Sequence, residues 1–188
     1  MSSRSLVALI NNETIGRLQE TNGLWSFQYT GAWLESSERF SLSPHLPLGV
    51  ESILDGASQR PVQWYFDNLL PEEAQRALLA SDARLDHADA FGLLAFYGAE
   101  SAGSVMLLPD NALEQDVGYL RPLTDLELSA RIHQMPKVAL TRAAIKRMSL
   151  AGAQHKLAVV MENGELFEPA GVAPSTHILK PDHPDKDY

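Results

Sequence analysis

The residues best suited to chemistry in this chain of 188 residues surround a glycine-containing turn in the stretch MSLAGAQHKLAVV, residues 148–160. Small residues on both sides of Gly152 allow backbone N–H groups to approach an anion closely. Lys156 follows the turn at the start of an apolar run, and Lys180 ends a later apolar run in the stretch THILK. A small-residue turn followed by a lysine on a strand is one way in which nucleotide phosphates are held.

The same turn has a second interpretation, a tight bend inside a sheet. It contains one glycine, and the residue after Lys156 is leucine, so it matches neither GxxxxGK[ST] nor GxGxxG. Taken alone, Lys180 fits the solvated end of a strand and Ser149 fits an ordinary turn residue. The residues by themselves leave both interpretations open.

Other arrangements that could do chemistry are weak. None of the six histidines forms an HExxH pair, and the chain has no cysteine, which excludes disulfides and thiolate metal sites. Asp67, in the stretch FDNLLP, could bind Mg²⁺ together with the asparagine after it, but a structural cap or turn is the better interpretation. We expect His177 to pack on a strand. We expect the acidic tail, Asp182, Asp185 and Asp187, to be solvated. No metal site is therefore predicted within the chain.

Composition limits the class of protein. There are 24 acidic and 15 basic residues, for a net charge of −9, which makes the chain a poor general binder of nucleic acid. We expect a small basic cluster (Arg142, Lys146 and Arg147) to be a solvated helix face. The first residues do not form a signal peptide, and no apolar run approaches the roughly 20 residues of a membrane span. Together with the lack of cysteine, this favours a cytoplasmic setting.

The elements that would position these residues are strands first and helices after. Asn11-Asn12 and Asn22-Gly23 predict two tight hairpin turns near the start of the chain. Residues 61–97 have apolar side chains at helical spacing, with Pro71 in the first turn of one helix and Gly98 after the last. The stretch GSVMLLP then predicts a further strand, and residues 109–117 are predicted to be a linker or surface loop.

The second half of the chain predicts another group of strands. The stretch YLRPLTDLELSARIHQMPK indicates a short strand and a helix capped by Thr124. After the glycine turn, Asn163-Gly164 predicts the clearest hairpin of the chain, and STHILKP predicts a last strand. The pattern as a whole is that of an α+β protein.

Read together, four ordered segments resemble the HipA family, the serine/threonine kinase toxins of bacterial toxin–antitoxin pairs. The segments are NNETIGRLQETNGLWSFQYTGAWL, FDNLLPEEAQR, AFGLLAFYGAESAGSVMLLP, and SLAGAQHKLAVV with GVAPSTHILKP. The resemblance implies an N-terminal antiparallel β subdomain with helices over residues 1–108. It implies a partial protein-kinase-like N-lobe, an antiparallel sheet that begins the kinase domain, over residues 118–188.

The resemblance also implies roles for individual residues. Ser149 falls where these kinases phosphorylate themselves, and the turn after it corresponds to their phosphate-binding loop. The implied ATP-binding residues are Ala151, Gly152, Ala153, Gln154, Lys156 and Lys180. A phosphate on Ser149 would add a charge of about −1.5 to −2 beside this site, and we expect it to repel ATP.

The implied cofactors are ATP and Mg²⁺, but the catalytic and metal-binding residues of the family lie in a C-terminal lobe that has no counterpart before Tyr188. We therefore expect no catalytic residue in this chain and no activity of the chain alone. The implied partners are a HipB-like DNA-binding antitoxin, a C-terminal kinase lobe or separate kinase-core chain, and a protein substrate such as an aminoacyl-tRNA synthetase, whose phosphorylation would arrest growth and favour persistence. No membrane and no direct nucleic-acid contact are expected.

A second hypothesis is a non-catalytic interaction module that binds and restrains a separate kinase core, as an antitoxin would. Ser149, Lys156 and Lys180 favour the first hypothesis, because an interaction module has no use for a phosphate turn.

Overall fold

The computed structural model describes residues 3–99, 104–112, 118–134, 156–170 and 173–181. Within these residues the chain is α+β, with one five-stranded and one four-stranded antiparallel sheet. The predicted fold class is therefore confirmed. The exact division of the chain into two domains stays a prediction.

The five-stranded sheet has the order β4-β3-β2-β1-β5, and the four-stranded sheet has the order β6-β8-β7-β9. The strands are β1 Ser3–Ile10, β2 Glu13–Thr21, β3 Leu24–Tyr29, β4 Ile53–Leu54, β5 Met106–Leu108, β6 Tyr119–Pro122, β7 Leu157–Glu162, β8 Glu165–Ala170 and β9 His177–Leu179. The helices are α1 Gly31–Glu35, α2 Pro61–Asp67, α3 Glu73–Ala83, α4 Ala90–Tyr97 and α5 Asp125–Gln134.

The two opening hairpins follow the predicted turns. Asn11 and Asn12 have φ values of 50° and 66°, and Asn22 and Gly23 have φ values of 53° and 78°. Positive φ at both central residues is what a type I′ turn requires, and its twist matches that of the flanking strands. Local side-chain chemistry is therefore enough to set the order β1-β2-β3.

The first sheet and the four helices α1 to α4 enclose the main core. On β3 the side chains alternate, so that Trp25, Phe27 and Tyr29 are buried while the residues between them are not. Trp25 meets Phe91 of α4 edge to face, with 5.1 Å between ring centroids, and Phe27 meets Phe66 of α2 at 5.4 Å. These aromatic contacts place α2 and α4 on the same face of the sheet.

The helix that was predicted to carry Pro71 in its first turn begins later than expected. α3 starts at Glu73, and Pro71 lies buried just before it. Proline does occupy the first position of a helix, but at Pro61 of α2, where the missing N–H costs no hydrogen bond. α4 ends at Gly98 as predicted.

The second sheet is built around the predicted Asn163-Gly164 hairpin, whose φ values are 51° and 83°. α5 packs on one face of this sheet through a small core cluster that includes Leu123, Leu157 and Val159. Thr124 caps α5 as predicted. In the part of the chain that the structure describes, no helix is long and apolar enough to cross a membrane.

Candidate anion-binding site

Lys156 and Lys180 are brought together by the pairing of β7 with β9. The register pairs Leu157 with Leu179 and Ala158 with Ile178. Lys156 directly precedes β7 and Lys180 directly follows β9, so the same register continued by one residue would set them opposite each other. Leu157 and Leu179 contribute to the cluster under α5. Successive side chains of a strand alternate between faces, so this alternation continued by one residue would put both lysines on the face of the sheet away from α5.

The electrostatics of Lys156 agree with this geometry. Burial is the largest cause that lowers the pKa of Lys156, and the like charge of Lys180 lowers it further, while Glu72 acts in the opposite direction. Lys156 is partly buried and Lys180 is exposed. Two ammonium groups side by side repel each other, so an anion that bridges them would stabilise both. The pair is therefore suited to hold an anion such as a phosphate group.

The remaining predicted site residues lie outside the described residues, and their roles stay predictions. They are Ser149, Ala151, Gly152, Ala153 and Gln154. The basic cluster Arg142, Lys146 and Arg147 and the acidic tail Asp182, Asp185 and Asp187 also lie outside the described residues. Of the residues predicted to contact ATP, the structure thus describes the two lysines.

The opposite face of the second sheet carries a buried ion cluster that the sequence reasoning missed. The carboxylate of Glu168 on β8 is almost fully buried and accepts hydrogen bonds from two guanidinium groups. Arg131 of α5 donates at 2.7 and 3.0 Å, and Arg121 of β6 donates at 2.8 and 3.0 Å. The cluster joins α5 to strands β6 and β8. It lies on the face of the sheet opposite to the face assigned to the lysine pair.

Glu127 extends this cluster to the start of α5. It accepts from Arg121 at 2.7 Å, and the backbone N–H of Thr124 donates to its second carboxylate oxygen at 3.1 Å. The backbone N–H of Glu127 in turn donates to the hydroxyl of Thr124 at 3.3 Å, which completes a capping box. Arg121 and then Thr124 lower the pKa of Glu127 to about 2.

The structure also describes the surroundings of Asp67 and His177, two polar residues that the sequence singles out. Asp67 forms an ion pair with Arg76 of α3 at 2.7 Å, and its carbonyl accepts from the N–H of Leu70, so it joins the end of α2 to the next helix. The prediction that His177 packs on its strand is wrong. His177 is exposed and its Nδ1 lies 2.8 Å from the hydroxyl of Thr176. β9 is an edge strand, so its first residue stands at a corner of the sheet.

Comparison with known proteins identifies the family to which this chain belongs. The family model of the HipA N-terminal domain matches residues 6–116, more than half of the chain. The chain therefore belongs to the HipA family.

Individual relatives agree with this assignment. The chain is 33% identical to Y4mE of Sinorhizobium fredii, a protein named as a kinase, over 96% of this chain and 44% of that protein. It is 30% identical to the serine/threonine-protein kinase toxin HipA of Shewanella oneidensis, over 85% of this chain and 35% of that protein.

A solved structure shares the fold. It is the complex of HipA, HipB and operator DNA of the Shewanella oneidensis toxin–antitoxin system, with a TM-score of 0.70 and 26% identity over 92% of this chain and 39% of that chain. The chain spans less than half the length of each of these three relatives.

Proposed function

We propose that this chain supplies the phosphate-holding part of a HipA-like serine/threonine kinase toxin. The observation that carries the proposal is the lysine pair: Lys156 and Lys180 flank the paired ends of β7 and β9, and the charge of Lys180 helps to lower the pKa of Lys156. A chain of this family with two adjacent cations on the face away from α5 has the charge that a nucleotide's phosphates need.

The chemistry of the pair fits ATP. An ammonium group is a compact point charge with three donors, which suits phosphate oxygens. Backbone N–H groups of Ala151, Gly152, Ala153 and Gln154 would complete the site as a small-residue turn does in other phosphate sites. Mg²⁺, when bound, would supply positive charge that neutralises the phosphates, and we propose that its ligands and the catalytic groups come from the kinase lobe that completes the site. Phosphorylation of Ser149 would oppose ATP binding by like-charge repulsion.

We further propose a HipB-like antitoxin as partner and a protein as phosphate acceptor. The partner is supported by the structural relative, whose HipA is in complex with HipB and operator DNA. The resemblance to the family suggests a component of translation, such as an aminoacyl-tRNA synthetase, as the acceptor. Contact with DNA would then be made by the antitoxin.

The test is nucleotide binding and phosphate transfer by this chain together with the kinase lobe that completes it. Lys180→Ala should weaken ATP binding by about tenfold or more, because a hydrogen-bonded charge pair with phosphate is lost. Arg39→Ala serves as the control. It removes an exposed positive charge from the loop that follows α1, in the part of the chain that forms the first sheet. Transfer that is equal in wild type and Lys180→Ala would contradict the proposal.

The interaction module remains the second candidate. The observation in its favour is that the family-model match ends at residue 116, before β6 begins the second sheet. A module of this kind would bind a separate kinase-core chain and lower its activity, and substitution of Lys156 or Lys180 would leave that restraint unchanged. Substitution of Lys156 or of Lys180 therefore separates the two candidate functions.

A further inference from the structure

The short strand β9 leads directly into Lys180, and burial of its side chains specifies its register only weakly. β9 consists of His177–Leu179 and is an edge strand that pairs with β7. Leu179 packs against the cluster under α5, whereas the side chains of His177 and Ile178 are exposed. Of the three side chains of β9, that of Leu179 alone is therefore partly buried and can favour one register over another.

A slip of β9 by one residue would fill the same place in the cluster. Ile178 would then stand opposite Leu157 in place of Leu179, so that one apolar side chain would replace another under α5. A one-residue slip turns every side chain of a strand to the other face of the sheet. Lys180 would therefore move to the face of α5 and away from Lys156. Because two apolar residues follow each other in β9, a further contact has to select the native register.

Thr176 supplies this contact at the start of β9. The chain bends at Thr176, and its backbone N–H donates to the carbonyl of Val159 at 3.0 Å. Its hydroxyl accepts from the backbone N–H of Met161 at 3.0 Å, and the Nδ1 of His177 lies 2.8 Å from the same hydroxyl. Thr176 is thus tied to two positions of β7. In the slipped register the hydroxyl would be displaced by about 3.3 Å along β7, and the N–H of Met161 would lose it.

We propose that Thr176 is a positioning residue of the phosphate site, because it fixes the register of β9 that brings Lys180 beside Lys156. Thr176 acts through Lys180 and not by its own contact with phosphate. This inference rests on the proposed function for the identity of the ligand, the phosphates of a nucleotide. It adds the residue that places one of the two cations.

The first test reads the register of β9 and needs no ligand. The chain has no cysteine, so a pair of introduced cysteines reports which two residues face each other. Lys156→Cys together with Lys180→Cys should form a disulfide in the native register, because opposite residues of antiparallel strands have Cα atoms roughly 4.5–5.5 Å apart. Lys156→Cys together with Leu179→Cys should form one in the slipped register, since in the native register these two side chains belong to opposite faces. Disulfide formation by the full 188-residue chain in a glutathione buffer is measured by mass spectrometry.

The variants of Thr176 are then compared in both double-cysteine backgrounds. Thr176→Val keeps the shape of the side chain and removes the hydroxyl, so the ratio of the native to the slipped disulfide should fall roughly threefold to tenfold. Thr176→Ser keeps the hydroxyl and should retain the wild-type ratio. Ser175→Ala removes the neighbouring hydroxyl and is the matched control, which should leave the ratio unchanged.

The second test measures affinity for inorganic pyrophosphate by calorimetry, in chains that keep both lysines, without Mg²⁺ and at low salt. Thr176→Val should bind pyrophosphate more weakly by the factor by which its fraction in the native register falls, because only that register is competent to bind. Thr176→Ser and Ser175→Ala should bind pyrophosphate as wild type does.

Each outcome has a distinct meaning. If Thr176→Val keeps the wild-type ratio of disulfides, or if Ser175→Ala lowers the ratio equally, the role of Thr176 in the register is wrong. If neither disulfide forms in Thr176→Val, Thr176 holds β9 on the sheet and does not select its register, which also overturns the proposal. If the ratio falls as expected but the wild-type chain binds no pyrophosphate, the proposed nucleotide function fails. The positioning role then fails with it, although Thr176 still sets the register of β9.

Discussion

At the scale of single residues, Gly16 is a position where one added methyl group has no room. A Cβ there would lie 2.4 Å from the ring of Phe27 and 2.7 Å from the carbonyl oxygen of Gln28. The site is next to a bulge, because β1 pairs Ala8 with Gly16 but its next residue with Thr14. The close approach of β2 and β3 therefore depends on glycine.

We predict that Gly16→Ala lowers the free energy of unfolding by about 1–3 kcal/mol, because the sheet has to open or the ring of Phe27 has to leave its rotamer. Urea unfolding followed by tryptophan fluorescence measures this loss. Gly31→Ala is the control, since nothing lies within 4 Å of a Cβ built there and Gly31 begins α1. If the two substitutions lowered the free energy of unfolding equally, crowding around the added methyl group at Gly16 would not be the cause of the loss.

Tyr29 gives a second prediction at this scale. Its buried hydroxyl donates to the carbonyl of Leu46 at 2.7 Å and accepts from the N–H of Leu42 at 2.9 Å. Tyr29→Phe should cost about 1–3 kcal/mol of stability, because one buried and one partly buried backbone group lose their partner. Tyr119→Phe, on the exposed first residue of β6, should change the midpoint of unfolding little. A Tyr29→Phe variant that is as stable as wild type would indicate that the loop containing Leu42 and Leu46 rearranges or admits water.

At the scale of elements, the buried carboxylate of Glu168 decides how α5 sits on the second sheet. Glu168→Gln keeps the shape but removes the charge that two guanidinium groups share, so we expect a loss of about 3–5 kcal/mol. Glu165→Gln, an exposed position on the same strand, is the matched control. Unfolding measured with both variants tests this, and similar stabilities would mean that Arg121 and Arg131 reach water without cost.

The start of α5 has a pH dependence with a definite sign. The pKa of Glu127 is lowered to about 2 when the chain is folded, so its carboxylate form is stabilised by folding. This contribution is present above the ordinary glutamate pKa, near 4.3, and is lost as pH falls toward 2. Glu127→Gln should therefore flatten the fall of melting temperature between pH 5 and pH 2. A curve parallel to wild type would contradict the role of the capping box and of Arg121.

At the scale of the whole molecule, the sequence predicted what local chemistry decides. The hairpins at Asn22-Gly23 and Asn163-Gly164 are set by residues that tolerate positive φ, and the Thr124 cap is set by a partner three residues away. The cluster at Glu168 is different, because its partners lie 37 and 47 residues away in sequence. The sequence does contain a signal for this cluster, a charged residue at an inward-facing position of a strand. Only the folded structure shows that two arginines pair with that residue.

Asp55 is a second example of a role that tertiary structure decides. It lies next to β4, yet its carboxylate accepts from the N–H groups of Val62 and Gln63 at 2.9 and 3.0 Å and so caps α2 from outside the helix. The residue at the N-cap position itself, Arg60, has no capping side chain. Sequence rules search for a capping residue directly beside the helix. They could not identify Asp55, which lies next to β4 and reaches α2 only in the folded structure.

The lysine pair makes a prediction about the whole molecule, because it joins stability to binding. Protonated Lys156 is less favourable in the folded than in the unfolded chain, since burial and Lys180 lower its pKa. The cost is fully present below the folded pKa and is relieved as pH rises through it. Lys180→Met removes part of this cost, so the ligand-free variant should melt about 1–4 °C higher than wild type at neutral pH.

The same substitution should remove the gain from a nucleotide. Wild type at an ATP concentration of 100 times its Kd should be stabilised by about 2.7 kcal/mol, and Lys180→Met should gain little at that concentration. Scanning calorimetry with and without ATP gives both quantities, with Lys180→Arg as the control that keeps the charge. A variant that is more stable alone and less stable with ligand is expected of a binding site that trades stability for affinity. If Lys180→Met instead melts lower without ligand and keeps the gain from ATP, the lysine pair is a structural feature of the sheet and the phosphate site lies elsewhere.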